Sequence, residues 1–241
     1  MAFNELEFAN KVALLKEELG FTNISHLEEK EKIGEEIASK VKGGEKIGFG
    51  SGSTAFLAAI AIAKKVKKNN ISISCIPTSL EISHLIASLG LPLGELNEVE
   101  LDFCFDGADE VDAKGRLIKG RGAALTKEKI VLSNAKKAYI LVDKSKFVSS
   151  LGEKFFTPIE VLPSAAYAVK RKLIALGASS LSLRKAGLSK DGPVITENGN
   201  FIIDAKFVDV ENDLEFRINN IPGVVENGLF LNYPQIEIIS L

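Results

Sequence analysis

Cysteine and histidine are scarce in this chain, with two of each among 241 residues. Cys75 and Cys104 fall in apolar runs with no short spacing between them. Two small buried thiols are therefore expected, not a disulfide or a metal site. His26 and His84 lie far apart, and the chain has no Cys-x-x-Cys or His-x-x-x-His pair. Nothing in that pattern supplies a dedicated transition-metal site. The net charge is only -2, so no dominant basic face points to a nucleic-acid partner. The one dense basic run, Lys64-Lys65-Val66-Lys67-Lys68, follows the apolar stretch Ala55–Ala63. It reads as the solvated C-terminal end of a helix, where the dipole favours cations. No apolar run is long enough to span a bilayer. The N-terminus, with Asn4, Glu5 and Glu7, is charged and amphipathic and lacks the apolar centre of a signal peptide. A soluble, cytoplasmic protein without a membrane partner is expected.

What is present is a hydrophobic content of 46% in a chain long enough for one large core or two smaller ones. Apolar spacing predicts helices over 5–19, 26–41, 54–68, 80–89 and 128–136. Short strands are predicted at 46–49, 71–76, 101–105 and 138–142. This alternation implies a parallel sheet with helices on both faces. In such sheets ligands bind beyond the carboxyl ends of the strands. Three polar clusters, at 50–54, 106–112 and 143–146, follow strand ends and are expected to share one site.

The character changes near Gly152. Residues 159–163 read as a strand and 164–176 as a helix. Residues 181–185 and 193–204 read as paired strands, and 210–220 as a helix. The segments 224–230 and 236–239 could return to the first sheet. The expected fold class is α/β, a Rossmann-like parallel-sheet domain with a second, smaller α+β domain. The expected division is residues 1–152, joined by 225–241, and residues 153–224.

The run Asp106-Gly107-Ala108-Asp109-Glu110-Val111-Asp112 puts four carboxylates into seven residues at a strand end. Like charges so close repel, and burial makes each costlier to ionise. Solvated acids in an Asx-type turn would explain the run. A calcium loop would not, because Ala108 and the missing downstream ligands fail that pattern. Downstream, Ile118-Lys119-Gly120-Arg121-Gly122-Ala123-Ala124-Leu125-Thr126-Lys127-Glu128 supplies a lysine, a glycine turn and another acid. Singly, Lys119 reads as an ion-pair partner and Glu128 as a first-turn helix acid. Upstream, Gly48-Phe49-Gly50-Ser51-Gly52-Ser53-Thr54 lies between a strand and a helix. It is either a tight turn with an N-cap or a phosphate-binding loop of backbone N–H groups and hydroxyls. It lacks the Gly-Lys-Ser/Thr ending of a nucleotide loop and the last glycine of a dinucleotide fingerprint.

Taken together, these stretches resemble the ribose-5-phosphate isomerases of type A. The matching segments are Gly48–Ala55, Asp106–Asp112, Ile118–Ile130, Val142–Val148, Pro158–Pro163, Gly192–Asp204 and Ile221–Phe230. The resemblance implies interconversion of D-ribose 5-phosphate and D-ribulose 5-phosphate, without a metal or organic cofactor. It assigns Glu128 as the proton-transferring base, with Asp106, Asp109 and Lys119 around the sugar. It assigns Ser51, Gly52, Ser53, Thr54 and Lys146 to holding the substrate, largely through phosphate. Gly107, Ala108, Gly120, Arg121 and Gly122 complete the expected substrate contacts. A homodimer or homotetramer is implied. Arg121 departs from an all-glycine turn and either points to solvent or adds positive charge near the ligand. Lys30 falls near a basic position that some members place by the phosphate, on an alignment too loose to count it as a site residue. About 25 extra N-terminal residues form either a helix covering the domain or a subunit contact.

Overall fold

The computed structural model describes residues 3–96, 100–187 and 190–240. In chain order its first half comprises α1 (Glu5–Glu18), α2 (Leu27–Lys40), β1 (Lys46–Phe49), α3 (Ser53–Asn69), β2 (Ser74–Pro77), α4 (Leu80–Ser88) and β3 (Phe103–Gly107). Next come β4 (Glu110–Val111), β5 (Leu117–Ile118), α5 (Leu125–Ser133), β6 (Ala138–Leu141) and β7 (Thr157–Val161). The chain ends with α6 (Ala166–Ala175), β8 (Ala178–Leu183), β9 (Phe201–Phe207), α7 (Leu214–Asn219), β10 (Val224–Asn227), β11 (Leu229–Phe230) and β12 (Ile236–Ile239).

Two compact units result. The first holds Met1–Gly107, Ile130–Ser145 and Gln235–Leu241. Its sheet is wholly parallel, in the order β12-β6-β3-β1-β2. Consecutive residues of β3 and β6 are buried, so both faces of the sheet are covered. From β1 the chain passes to β2 on one side and then to β3 on the other. The strand order therefore reverses between β1 and β3, the place where open α/β sheets hold ligands. Cys75 on β2 and Cys104 on β3 are both buried, and burial pushes the Cys75 thiol up to about 12.

Sequence accounts for the helices of this unit. Asn4 caps α1 by accepting from Leu6 N and Glu7 N, and Ser79 caps α4 by accepting from Ile82 N. Leu15 of α1 is buried with Phe8 and Val12 beside it on the core, while Leu6 and Leu14 are exposed. The N-terminal extension thus covers this unit. In α2, Ile33 and Ile37 face the core. Gly34 of α2 lies against α3 so closely that a Cβ would stand 3.1 Å from Ala58 N, and every near neighbour is backbone.

The second unit holds Ala108–Lys129 and Lys146–Pro234. It contains an antiparallel sheet, β10-β7-β9-β8, and a three-stranded sheet, β11-β5-β4. Ile159, Val161, Val169, Leu173, Ile203, Ala205, Leu214 and Ile218 form its core.

The structure departs from the sequence reading at several points. The division falls at 108–129 and 146–234, not at 152 and 225, because the acidic and lysine–glycine stretches cluster with the antiparallel strands. The acidic stretch is not one turn: Asp106 and Gly107 end β3, while Glu110 and Val111 form β4. Helix α5 starts at Leu125, three residues before the expected 128, once the turn closed by Ala123 N–H to Gly120 O is complete. Of the segments expected back in the first sheet, only β12 returns there; β10 pairs with β7 and β11 with β5. Regular pairing in 193–204 begins only at Phe201, with isolated bridges at Pro193 and Ile195.

Gly34→Ala is expected to lower stability by about 1–3 kcal/mol, the cost of overpacking against immobile backbone. A urea midpoint equal to that of the parent chain would show that α2 and α3 have slack.

Candidate active site

In the first unit, polar groups gather where the parallel strands end. The β1–α3 loop carries Gly50, Ser51 and Gly52. A side chain at Gly50 would overlap the Asp106 carboxyl, with a Cβ 2.3 Å from its Cγ. That absence lets Asp106, buried at the end of β3, accept from Ser51 N at 3.0 Å and from Gly107 N at 2.7 Å. Ser51 Oγ lies 2.9 Å from Thr78 Oγ1, which donates to Phe49 O at 3.0 Å. Gly52 stands at the N-terminus of α3 with φ +87° and no side-chain cap. Only glycine takes that conformation easily. The first-turn amides of α3, with Ser53 and Thr54, thus form an end suited to an anion.

Lys30 of α2 reaches the same loop. It is buried and donates to Ser53 Oγ at 3.2 Å and to Ser25 Oγ at 3.3 Å. Asp143, beyond β6, lies 3.9 Å from Lys30 Nζ and accepts from Ser145 N at 2.9 Å. Sequence reasoning left Lys30 uncounted and missed Thr78. Thr78 follows β2 directly, so the strand-end argument applied to the other clusters would have found it.

In the second unit, Lys119 follows β5 and Glu128 sits in the first turn of α5. Both are buried, 2% and 5% exposed, and Lys119 Nζ lies 3.1 Å from Glu128 Oε2. Buried charges persist only when paired. Helix α5 is tied down on either side of Glu128. Thr126 donates to Glu160, a fully buried acid that also accepts from Thr196 Oγ1, Asn198 Nδ2 and Asn200 Nδ2. Lys129 contacts Glu215 at 2.7 Å and Glu226 at 2.9 Å. The ring of Phe230 lies 5.8 Å from Lys119 Nζ and 4.8 Å from Lys129 Nζ, within cation–π range.

The remaining acids of the motif, all in this unit, take separate roles. Fully buried Glu110 accepts from Gly152 N, Lys154 N and Phe155 N at 2.6, 2.5 and 2.7 Å. Asp112 accepts from Lys114 N, Arg116 N and Arg116 Nε. These two are scaffold. Asp109 differs: burial pushes its carboxyl above the ordinary range, against the pull of Lys119, the Arg121 N–H, Lys146 and the Arg121 charge. The Arg121 N–H donates to Asp109 Oδ2 at 3.1 Å.

Asp109 and Arg121 line a cavity of about 320 Å³ with Phe155, Phe156, Pro158, Arg184 and Asp204. Arg121 is exposed, and its guanidinium lies 5.6 Å from the Phe155 ring centre; Lys146 Nζ lies 5.6 Å from the same ring. Arg121 thus meets solvent and also lines the cavity beside Asp109. Gly120, at φ +97°, has no room for a side chain, with a Cβ 2.7 Å from that of Leu125. Gly122 is exposed and Ala108 is half-buried. Among the described residues, no three His, Cys, Asp or Glu side chains group to hold a metal ion, and no helix is long and apolar enough to cross a membrane.

A model of the family ribose 5-phosphate isomerase A (phosphoriboisomerase A) matches residues 74–240. The chain belongs to the ribose 5-phosphate isomerase A family. Ribose-5-phosphate isomerase A of Thermosynechococcus vestitus is 45% identical over 215 residues, covering 88% of this chain and 90% of that protein. The solved structure of ribose 5-phosphate isomerase A from Methanocaldococcus jannaschii is 44% identical with a TM-score of 0.85, covering 89% of this chain and 95% of that one. A D-ribose-5-phosphate isomerase solved in complex with phospho-erythronic acid is 40% identical with a TM-score of 0.84, over 90% and 96% of the two chains. The isomerase family membership agrees with the resemblance read from the motifs.

Two variants separate scaffold from site. Glu110→Gln places an N–H₂ group against three N–H donors and is expected to cost about 2–3 kcal/mol. An unchanged denaturation midpoint would refute the scaffold role. For Asp109 the folded chain binds the proton more tightly than the unfolded chain. The associated stability is present below the ordinary carboxylate range and is lost as pH rises through the raised value. Asp109→Asn should therefore melt above the parent at about pH 7, with the gap closing near about pH 3. Parallel melting curves at both pH values would contradict the burial cost.

Proposed function

We propose that this chain interconverts D-ribose 5-phosphate and D-ribulose 5-phosphate through an enediolate, in the non-oxidative pentose phosphate pathway. The observation that carries the reading is the buried Lys119–Glu128 pair at 3.1 Å. A carboxylate kept from water is a competent base for a weakly acidic carbon, and an adjacent ammonium can meet the charge that forms.

Glu128 takes the proton from carbon 2 of the open-chain aldose. The C–H electron pair becomes the carbon 1–carbon 2 double bond, and the carbonyl electrons move onto oxygen 1. Lys119, with N–H groups of the Gly120–Gly122 turn, offsets that negative charge. The oxygen 2 proton passes to oxygen 1, Glu128 returns its proton to carbon 1, and the carbonyl now at carbon 2 completes the ketose. Asp106, with two backbone N–H groups on one oxygen, is suited to moving hydroxyl protons, ring opening included. Asp109 holds Lys119 or a hydroxyl.

The phosphate falls to Ser51, Gly52, Ser53 and Thr54 at the N-terminus of α3, with Lys30 and Lys146 supplying charge. Holding the phosphate orients carbons that it does not touch. The relative seen with phospho-erythronic acid supports a sugar-phosphate ligand for this chain as well.

The direct test is conversion of ribose 5-phosphate by the purified protein in excess EDTA, with Glu128→Gln beside it. Turnover by the parent and a loss of at least about 10²-fold in the variant are expected for removal of a general base. A variant that keeps most of the turnover would remove Glu128 from that role.

A further inference from the structure

Arg184 follows β8 in the second unit, in a stretch to which the resemblance assigns no function. Its guanidinium is used on every side. Nε lies 2.9 Å from Asp204 Oδ2, and Nη2 contacts Asp204 Oδ1. Nη1 donates to two successive carbonyls, Gly120 O at 2.9 Å and Arg121 O at 2.8 Å. A trans peptide points its N–H opposite to its C=O. The peptide whose carbonyl meets Arg184 at Gly120 must direct the Arg121 N–H the other way, and that N–H donates to Asp109 Oδ2. The next peptide, held at Arg121 O, likewise turns the Gly122 N–H away from the guanidinium. A Cβ at Gly122 would meet nothing within 4 Å, so this second N–H belongs to an open stretch of the turn.

We propose that Arg184, held by Asp204, is a positioning residue for the isomerase reaction: it fixes the Gly120–Gly122 peptides so that their N–H groups serve Asp109 and the substrate oxyanion. This rests on the reading given under the proposed function. Lysine cannot replace it, because a single ammonium cannot span a carboxylate and two carbonyls in one plane. The role also differs from that of a surface ion pair. Arg184 and Asp204 are only 17% and 18% exposed, and both line the cavity that holds Asp109.

The cavity provides the test, since it can admit a free guanidinium ion once the side chain is removed. Arg184→Ala is expected to lose about 10–10²-fold in kcat, the scale of a misplaced catalytic group, with KM changing much less. Guanidinium at concentrations far below denaturing should restore part of the loss in the variant and nothing in the parent; Arg184→Lys should stay low. Amide exchange of Arg121 should speed up in Arg184→Ala while that of β9 does not. Parental turnover in a folded Arg184→Ala, a loss that guanidinium leaves untouched, or unchanged exchange at Arg121 would each overturn the proposal. If Arg184→Ala does not fold, Asp204→Asn carries the test: faster Arg121 exchange with reduced kcat supports the role, and parental values in both overturn it. Exchange is read without substrate, so a parent chain that fails to isomerise ribose 5-phosphate would sink the functional reading separately.

Discussion

The buried pair between Lys119 and Glu128 is the constraint around which the second unit is organised. Removing two such charges from water costs several kcal/mol per ion before their attraction is counted. A fold that needed only stability would do as well with two apolar side chains. The surrounding bonds make sense as the means of keeping the pair. Thr126 and Lys129 fix the helix on either side of Glu128, through Glu160 on one side and Glu215 with Glu226 on the other. Phe230 presents its ring to both lysines. In the proposed reaction, an acid and a lysine so restrained would need no reorganisation, which is where electrostatic catalysis gains most.

The acidic run illustrates how environment divides chemically similar groups. Asp106 is steadied by two backbone N–H groups of the first unit. Glu110 and Asp112 are spent on loop amides and Arg116. Asp109 is the member whose charged form burial disfavours. Four carboxylates in seven residues are tolerable because they do not share one environment, so their mutual repulsion is never collected at a single point.

Much of the first unit was legible because its signals are local. The apolar spacing of α2, the glycines after β1 and the apolar run into β3 each lie within a few residues of what they specify. The motif residues Asp106, Lys119 and Glu128 were legible through the resemblance; their burial and pairing were not. The two-residue strands β4, β5 and β11 are too short to show any alternation, and they exist only through pairing with one another. Arg184 gave no signal at all. Its partners are 20 and 64 positions away, and a lone arginine at a strand end looks like any solvated charge. Lys30 is hard to place from sequence, because its contacts are with Ser53 and Asp143, far along the chain, and nothing in its neighbours along α2 marks it.

The two thiols carry one more consequence. Cys75 and Cys104 lie inside the parallel sheet, and Cys75 holds its proton up to about 12. The thiolate is the species that oxidants and electrophiles attack. With that form suppressed and both sulfurs shielded, peroxide or disulfide stress has no entry to the folded chain through cysteine.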